Sequence, residues 1–280
     1  LRQALEAMDR DGIVVLEEVV DLDHVQCLGS RMKQEMAEVR SRRPIGVESS
    51  NESLPPPRRH PWLFRDICYN GFAIQIAHAI LGDGLYWNFY GSNVVHPGET
   101  RKQGIHHDAR PLYAFELEEP LPAHNLVVNV PLADFTEENG ATEVWLGSHR
   151  ETRRLIVDDD NYERLLAEHR ERDWIVQMTA KKGALVLRDM RIYHGGMPNR
   201  TDELRQMIAM VYNRYFYRVL CSMPFALGTE DFFTHPELQA MCTFLDADDL
   251  GVDYERERRR RGLPDAQQLP GVVLGGKAVI

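Results

Sequence analysis

Apolar and polar positions change period twice along this chain, which divides it into a helical front and a β-rich centre. Residues 1–40 read as helix, strand, helix. Gly12 ends the first helix, Ile13-Val14-Val15-Leu16 is a short apolar strand, and Asp21 or Asp23 can cap the second helix. In that second helix Val25, Leu28, Met32, Met36 and Val39 recur at the spacing of one buried stripe. A helical pattern returns over 62–81, with Phe72, Ile76, Ala79 and Ile80 on one side, and Gly82-Asp83-Gly84 stops it.

After Gly84 the period becomes two. Strands are expected at about 85–93, 104–109, 125–132, 143–146, 174–178, 184–187 and 206–214. Strands this closely spaced, joined by Gly, Pro and Asn turns, predict an all-β core with the front helices packed on its outside. Between the two halves, 41–61 holds Arg42-Arg43-Pro44, Ser49-Ser50-Asn51 and Pro55-Pro56-Pro57-Arg58-Arg59. Proline removes backbone donors, so this segment is expected to be irregular, either a lid or a flexible insertion. The C-terminal extension, about 231–280, carries one expected helix at 236–245 and a charged run from Glu255 to Arg261, read as a solvated helical face. With no internal repeat, 1–280 reads as a single domain.

Composition narrows the classes of function. A net charge of −10 gives the chain no pull toward nucleic acid or an anionic membrane. No apolar run approaches the ~18 residues of a membrane span. Cys27, Cys68, Cys221 and Cys242 are far apart and form no CxxC pair, so neither a zinc ribbon nor a disulfide framework is expected. Four buried free thiols in a cytoplasmic setting are the expectation.

Chemistry concentrates in Gln103-Gly-Ile-His106-His107-Asp108. On an extended segment His106 and Asp108 face one way and His107 the other. A distant histidine, His194 in Arg191-Ile-Tyr-His194-Gly-Gly, leaves an apolar strand at a rim position and offers a third ligand. Two histidines and a carboxylate suit non-haem Fe(II), and zinc hydrolases also use this set. Arg205 bears on the choice. It follows a turn at the mouth of a returning strand, where a guanidinium can hold a carboxylate bidentately, as a dicarboxylate cosubstrate requires.

With these residues in place the sequence resembles the phytanoyl-CoA dioxygenase-like family of Fe(II)/2-oxoglutarate oxygenases. The resemblance rests on His106-x-Asp108, Glu138-Asn139-Gly140-Ala141-Thr142, Leu146-Gly147-Ser148-His149 and His194-Gly-Gly-x-Pro-Asn199 followed by Arg205, with Asp11-Gly12-Ile13-Val14-Val15-Leu16 as an opening strand. It covers about 9–215 and omits 41–61 and the last sixty-odd residues. It implies a mainly β fold with flanking helices around a double-stranded β-helix (jelly-roll, cupin-like) core. Iron would be held by His106, Asp108 and His194, and the distal carboxylate of 2-oxoglutarate by Arg205. Gln103 matches a cosubstrate-contacting position, Thr142 and Asn129 are further candidates for that contact, and His149 closes a turn. The reaction implied consumes O2 and 2-oxoglutarate, releases succinate and CO2, and oxidises a small molecule, with a natural-product intermediate the leading class. Asp108 fills the position that halogenating relatives leave open, which favours hydroxylation, desaturation or ring formation. The competing readings are a metal-binding β-barrel without turnover and a zinc-dependent hydrolase.

Overall fold

The computed structural model describes residues 1–42, 53–109, 112, 118–152, 160–217, 222–239 and 241–246. The front matches the hydrophobic pattern: α1 (Arg2–Asp11), β1 (Ile13–Leu16) and α2 (Leu22–Arg42). Gly12 closes α1 in the left-handed region at φ 78°, where a side chain would also strike the His149 ring. The expected helix over 62–81 is two: α3 (Arg65–Cys68) and α4 (Gly71–Leu81). Asn70 separates them, because its side chain accepts from Phe72 N and so starts a new helix. This cap also sets the rotation of α4. Its buried face is Ala73, Ile76, Ala77 and Leu81, while Phe72 is 58% exposed, so the expected stripe is corrected by part of a turn.

Strands β2 (Tyr86–Val95), β3 (Asn125–Pro131), β6 (Leu185–Asp189) and β8 (Arg205–Asn213) join β1 in a five-stranded antiparallel sheet of order β1-β6-β3-β8-β2. Opposite it, β4 (Glu143–Trp145), β5 (Ile175–Gln177) and β7 (His194–Gly195) form a sheet of order β5-β4-β7. The strand expected at 104–109 is reduced to a single bridge, His106 to His194, on the outer side of β7. Its pairing stops there because Asp108 N and Ala109 N both turn to Met190 O.

Period two divides the five-stranded sheet into two faces. Leu126, Val128, Val130, Leu185, Leu187, Ile208, Met210 and Tyr212 pack outward against α1, α2 and α4 in one core. Val186 and Met207 face inward and meet Val144, Phe135, Met178 and Ile192 in a second core between the sheets. The helices therefore lie on the outside, as the sequence predicts, and the inward face is left for a site.

Residues 53–61 of the expected lid run along the free edge of β2. Arg58 Nη2 donates to Tyr90 O at 2.6 Å, and Leu54 and Ser92 bond each other's backbone and hydroxyl groups. This strap lies against an edge strand, and its Arg58 side chain fills one of the edge's backbone acceptors. Residues 43–52 lie outside the described residues, as do the charged run at 255–261 and Cys221.

Three further differences were not evident from pattern. The expected helix at 236–245 divides into α6 (Pro236–Gln239) and β10 (Cys242–Leu245), which pairs in parallel with β9 (Met223–Ala226). Helix α5 (Asp160–Glu171) was not expected; Leu165 buries against Trp145 and Tyr193. Of the cysteines, Cys68 is buried, Cys242 half-buried and Cys27 exposed, so the expectation of buried thiols fails at Cys27. Among the described residues no helix is long and apolar enough to cross a membrane.

Candidate metal centre

His106, Asp108 and His194 converge, with one ligand atom from each within 4.8 Å of the others. The bridge between the two histidine backbones does this: His106 N donates to His194 O at 2.9 Å and His194 N to His106 O at 2.8 Å. The rings stand 4.4 Å apart. Asp108 reaches both, Oδ1 at 3.6 Å from His106 Nε2 and Oδ2 at 3.5 Å from His194 Nε2. His107 turns away and sets its ring edge-on to Tyr193, as alternation predicts.

Both imidazoles are held by their other nitrogen. His106 Nδ1 lies 2.8 Å from Gly104 O and His194 Nδ1 3.0 Å from Ile192 O. A carbonyl can only accept, so each Nδ1 carries the proton and each Nε2 presents a lone pair to the centre. Electrostatics agree. Burial alone would raise the Asp108 carboxyl, but the charge of Arg188, with His194 and His106, outweighs it and lowers the group to about 2. Burial, then the Arg188 charge, lowers His194 to about 3 against the pull of Asp108. At neutral pH the aspartate is ionised and His194 neutral, the states a metal ligand requires.

Arg205 begins β8 on the inward face and is 1% exposed. Its guanidinium carbon stands 5.1 Å from the centre of the Phe135 ring, Nη1 is 4.0 Å from Met207 Sδ, and buried Nε has no partner. Among the described residues no carboxylate pairs with it, and burial lowers it to about 10. Phe135 and Met207 belong to the cluster that holds Val144 and Ile192, the neighbours of His194 in register and in sequence.

The remaining expected residues fall in different places. Gln103 Oε1 accepts from Gly196 N at 3.0 Å while Gln103 N donates to Gly196 O, so this residue latches the His106 segment to the turn after His194. Asn129 lies on the inward face in a row with Val186, Ala209 and Gly91, and its buried Oδ1 has no partner. Thr142 is buried just before β4, its carbonyl taking Met178 N. His149 is buried behind Gly12, where a turn would need it, and burial lowers its pKa.

Sequence reasoning missed Arg188. It occupies the next inward row, with Val127, Val211 and Phe89, and its Nη2 donates to Asp108 Oδ2 at 2.7 Å. The available signal was a charge at an inward position directly after an apolar run. Also missed was a group of amides at that end of the sheet. Asn125 and Asn213 pair across β3 and β8, Asn213 Nδ2 donates to Asn88 Oδ1 at 2.7 Å, and the Oδ1 atoms of Asn125 and Asn213 are buried without a donor. On the edge strand β2, Phe89 is 43% exposed with its ring folded over Gly91.

The chain is similar to proteins already known. The family model described as Phytanoyl-CoA dioxygenase (PhyH) matches residues 8–207. The Fe(II)/2-oxoglutarate-dependent dioxygenase nvfF of Aspergillus novofumigatus is 28% identical over 218 residues, covering 73% of this chain and 69% of its own. The ectoine dioxygenase of Sphingopyxis alaskensis is 28% identical over 233 residues, covering 76% and 75%. The crystal structure of EctD from S. alaskensis with bound Fe superposes with a TM-score of 0.55 at 26% identity, covering 76% of each chain.

Proposed function

The chain belongs to the phytanoyl-CoA dioxygenase family and is an oxidoreductase; from that membership we propose an Fe(II)- and 2-oxoglutarate-dependent dioxygenase that hydroxylates a small organic molecule. His106, Asp108 and His194 hold the iron, and Arg205 anchors the distal carboxylate of 2-oxoglutarate. The two sheets are read as the halves of a double-stranded β-helix, with the metal toward one end.

The observation that carries this reading is Arg205. A buried guanidinium without an acid partner is costly unless a ligand supplies the acid. It sits on the inward face, in contact with the apolar cluster around His194. A barrel that bound only a metal would have no use for it, and neither would a zinc hydrolase. The donor set also fits iron: two imidazole nitrogens and one ionised carboxylate, with open positions left for ligands.

When bound, iron with 2-oxoglutarate and O2 supplies the oxidation, with release of succinate and CO2. The chain's own residues orient and exclude. Gly104 O and Ile192 O keep the histidine lone pairs aimed inward. Phe135 and Met207 keep water from Arg205, which strengthens its hold on a carboxylate. Gln103 fixes the distance between the His106 and His194 segments. Asn88, Asn125 and Asn213 give the substrate end a polar lining with two unfilled acceptors, which favours a molecule bearing hydroxyl or amide donors. Asp108 occupies the third ligand position, which favours hydroxylation over halogenation.

Anaerobic titration with Fe(II) and 2-oxoglutarate tests the proposal. A weak visible charge-transfer band is expected in the wild type and absent in His194→Ala. A wild type that shows no band at saturating ligand refutes the assignment.

A further inference from the structure

Asp108 is not held by a β-ladder. The segment that carries it forms a β-bridge only at His106, and beyond that point Asp108 itself is placed by two hydrogen bonds from one neighbouring stretch. Asp108 N donates to Met190 O at 3.0 Å, and Arg188 Nη2 donates to Asp108 Oδ2 at 2.7 Å. The first places the backbone; the second decides which way the carboxylate is turned. The Arg188 side chain is 7% exposed, lies in register between Ile13 and Val127, and its buried Nη1 has no partner.

A purely stabilising role does not account for this arrangement. Buried ion pairs are often matched or bettered by apolar residues of similar volume, and a guanidinium kept for stability has its donors filled. The cation instead serves the ligand it touches. With one oxygen engaged by Arg188, the carboxylate is held with Oδ1 3.6 Å from His106 Nε2 and Oδ2 3.5 Å from His194 Nε2. Adjacent ligands of one octahedral metal sit about 3 Å apart, so the aspartate already stands close to that spacing from each of the two imidazole nitrogens. Arg188 also offsets the aspartate charge, so that a divalent ion joined by a dianionic cosubstrate does not add to an anion left in a buried site.

Resting on the proposed iron site, we infer that Arg188 is a positioning residue of the metal centre, fixing the rotation and charge of Asp108 for the metal and its cosubstrate. Partners of this kind outside the ligand set typically account for about 10- to 100-fold in metal affinity.

The test uses Co(II) as a spectroscopic probe, titrated into the full chain, followed by anaerobic Fe(II) with 2-oxoglutarate. Arg188→Gln is expected to weaken Co(II) binding about 10- to 100-fold and to alter the cobalt absorption bands, which report coordination geometry. It should also displace the Fe(II)–2-oxoglutarate charge-transfer band. Arg188→Lys, which keeps the charge and one donor, recovers part of the affinity. If Arg188→Gln does not fold, Arg188→Lys is read alone, with weaker binding and altered bands expected. Affinity within twofold of wild type and unchanged bands in a folded variant overturn the inference. A crystal of the wild type soaked in Mn(II) gives a check that needs no variant: Arg188 bonded to the Asp108 carboxylate supports the role, and a guanidinium turned away overturns it. A wild type that binds neither Co(II) nor Fe(II) overturns the iron reading itself, an outcome distinct from variants that bind as the wild type does.

Discussion

Arg205→Met should make the protein more stable and less able to bind 2-oxoglutarate, and the two effects come from the same observation. Burial lowers the guanidinium from its ordinary, strongly basic value to about 10. At about 1.4 kcal/mol per pH unit this corresponds to roughly 3 kcal/mol of native-state destabilisation. The sign follows from linkage. The unfolded chain keeps the proton well above the pH at which the native one loses it, about 10, so the penalty is full below pH 10 and fades above it. Methionine fills a similar volume without charge. It forgoes the contact with Phe135, worth about 1 kcal/mol, and leaves a net gain of about 2 kcal/mol. For a chain of this size that is a rise of about 3–4 °C in Tm. Cosubstrate binding moves the other way. Loss of a buried charge-assisted carboxylate contact costs about 2–5 kcal/mol, a weakening of about 30-fold to a few thousand-fold. The assay is urea unfolding of the Fe(II)-loaded protein under nitrogen, with and without 2-oxoglutarate. With 2-oxoglutarate at about ten times the wild-type Kd, the wild type should gain stability by mass action, and Arg205→Met should start higher and gain little. A variant less stable than wild type, or one that keeps the ligand-dependent gain, refutes the assignment of Arg205 as an unpaired anchor.

The other predictions concern the frame of the site. Gly140→Ala places a Cβ against Met197 O and 2.9 Å from Pro198 O at a φ of 83°, so a loss of about 2–4 kcal/mol is expected in denaturant unfolding. In the metal-free protein His194 is lowered from 6.5 to about 3, so stability should fall as pH drops through that window, because the unfolded residue takes a proton that the native one refuses. His194→Gln should flatten the curve there, with the Asp108 loss appearing only below 3.8; unfolding free energies across pH decide it. Gly91→Ala should drive the Phe89 ring from the inward face and change the KM for substrate more than that for 2-oxoglutarate, as steady-state kinetics on both would reveal.

Much of this site was readable before any tertiary contact was known. The period-two alternation that puts His106 and Asp108 on one side and His107 on the other depends only on the geometry of an extended backbone, and it held even though 104–109 forms a bridge rather than a strand. The outward positions of the helices followed from their apolar stripes, and the approximate limits of most sheet strands followed from their alternation. Rotation and pairing were not readable in this way. Asn70 turned α4 by capping it, and β10 found β9 through a parallel pairing that no local pattern announces. The tertiary structure alone decided the surroundings of each charge. Arg188 and Asp108 are 80 residues apart and meet because Met190 captures the chain after His106, and Arg205 matters because no acid among the described residues reaches it. A sequence carries periodicity, which is local and therefore legible along the chain. Burial, partnership and the lack of a partner are sums over neighbours from distant segments, and they acquire values only when the sheets close over the site.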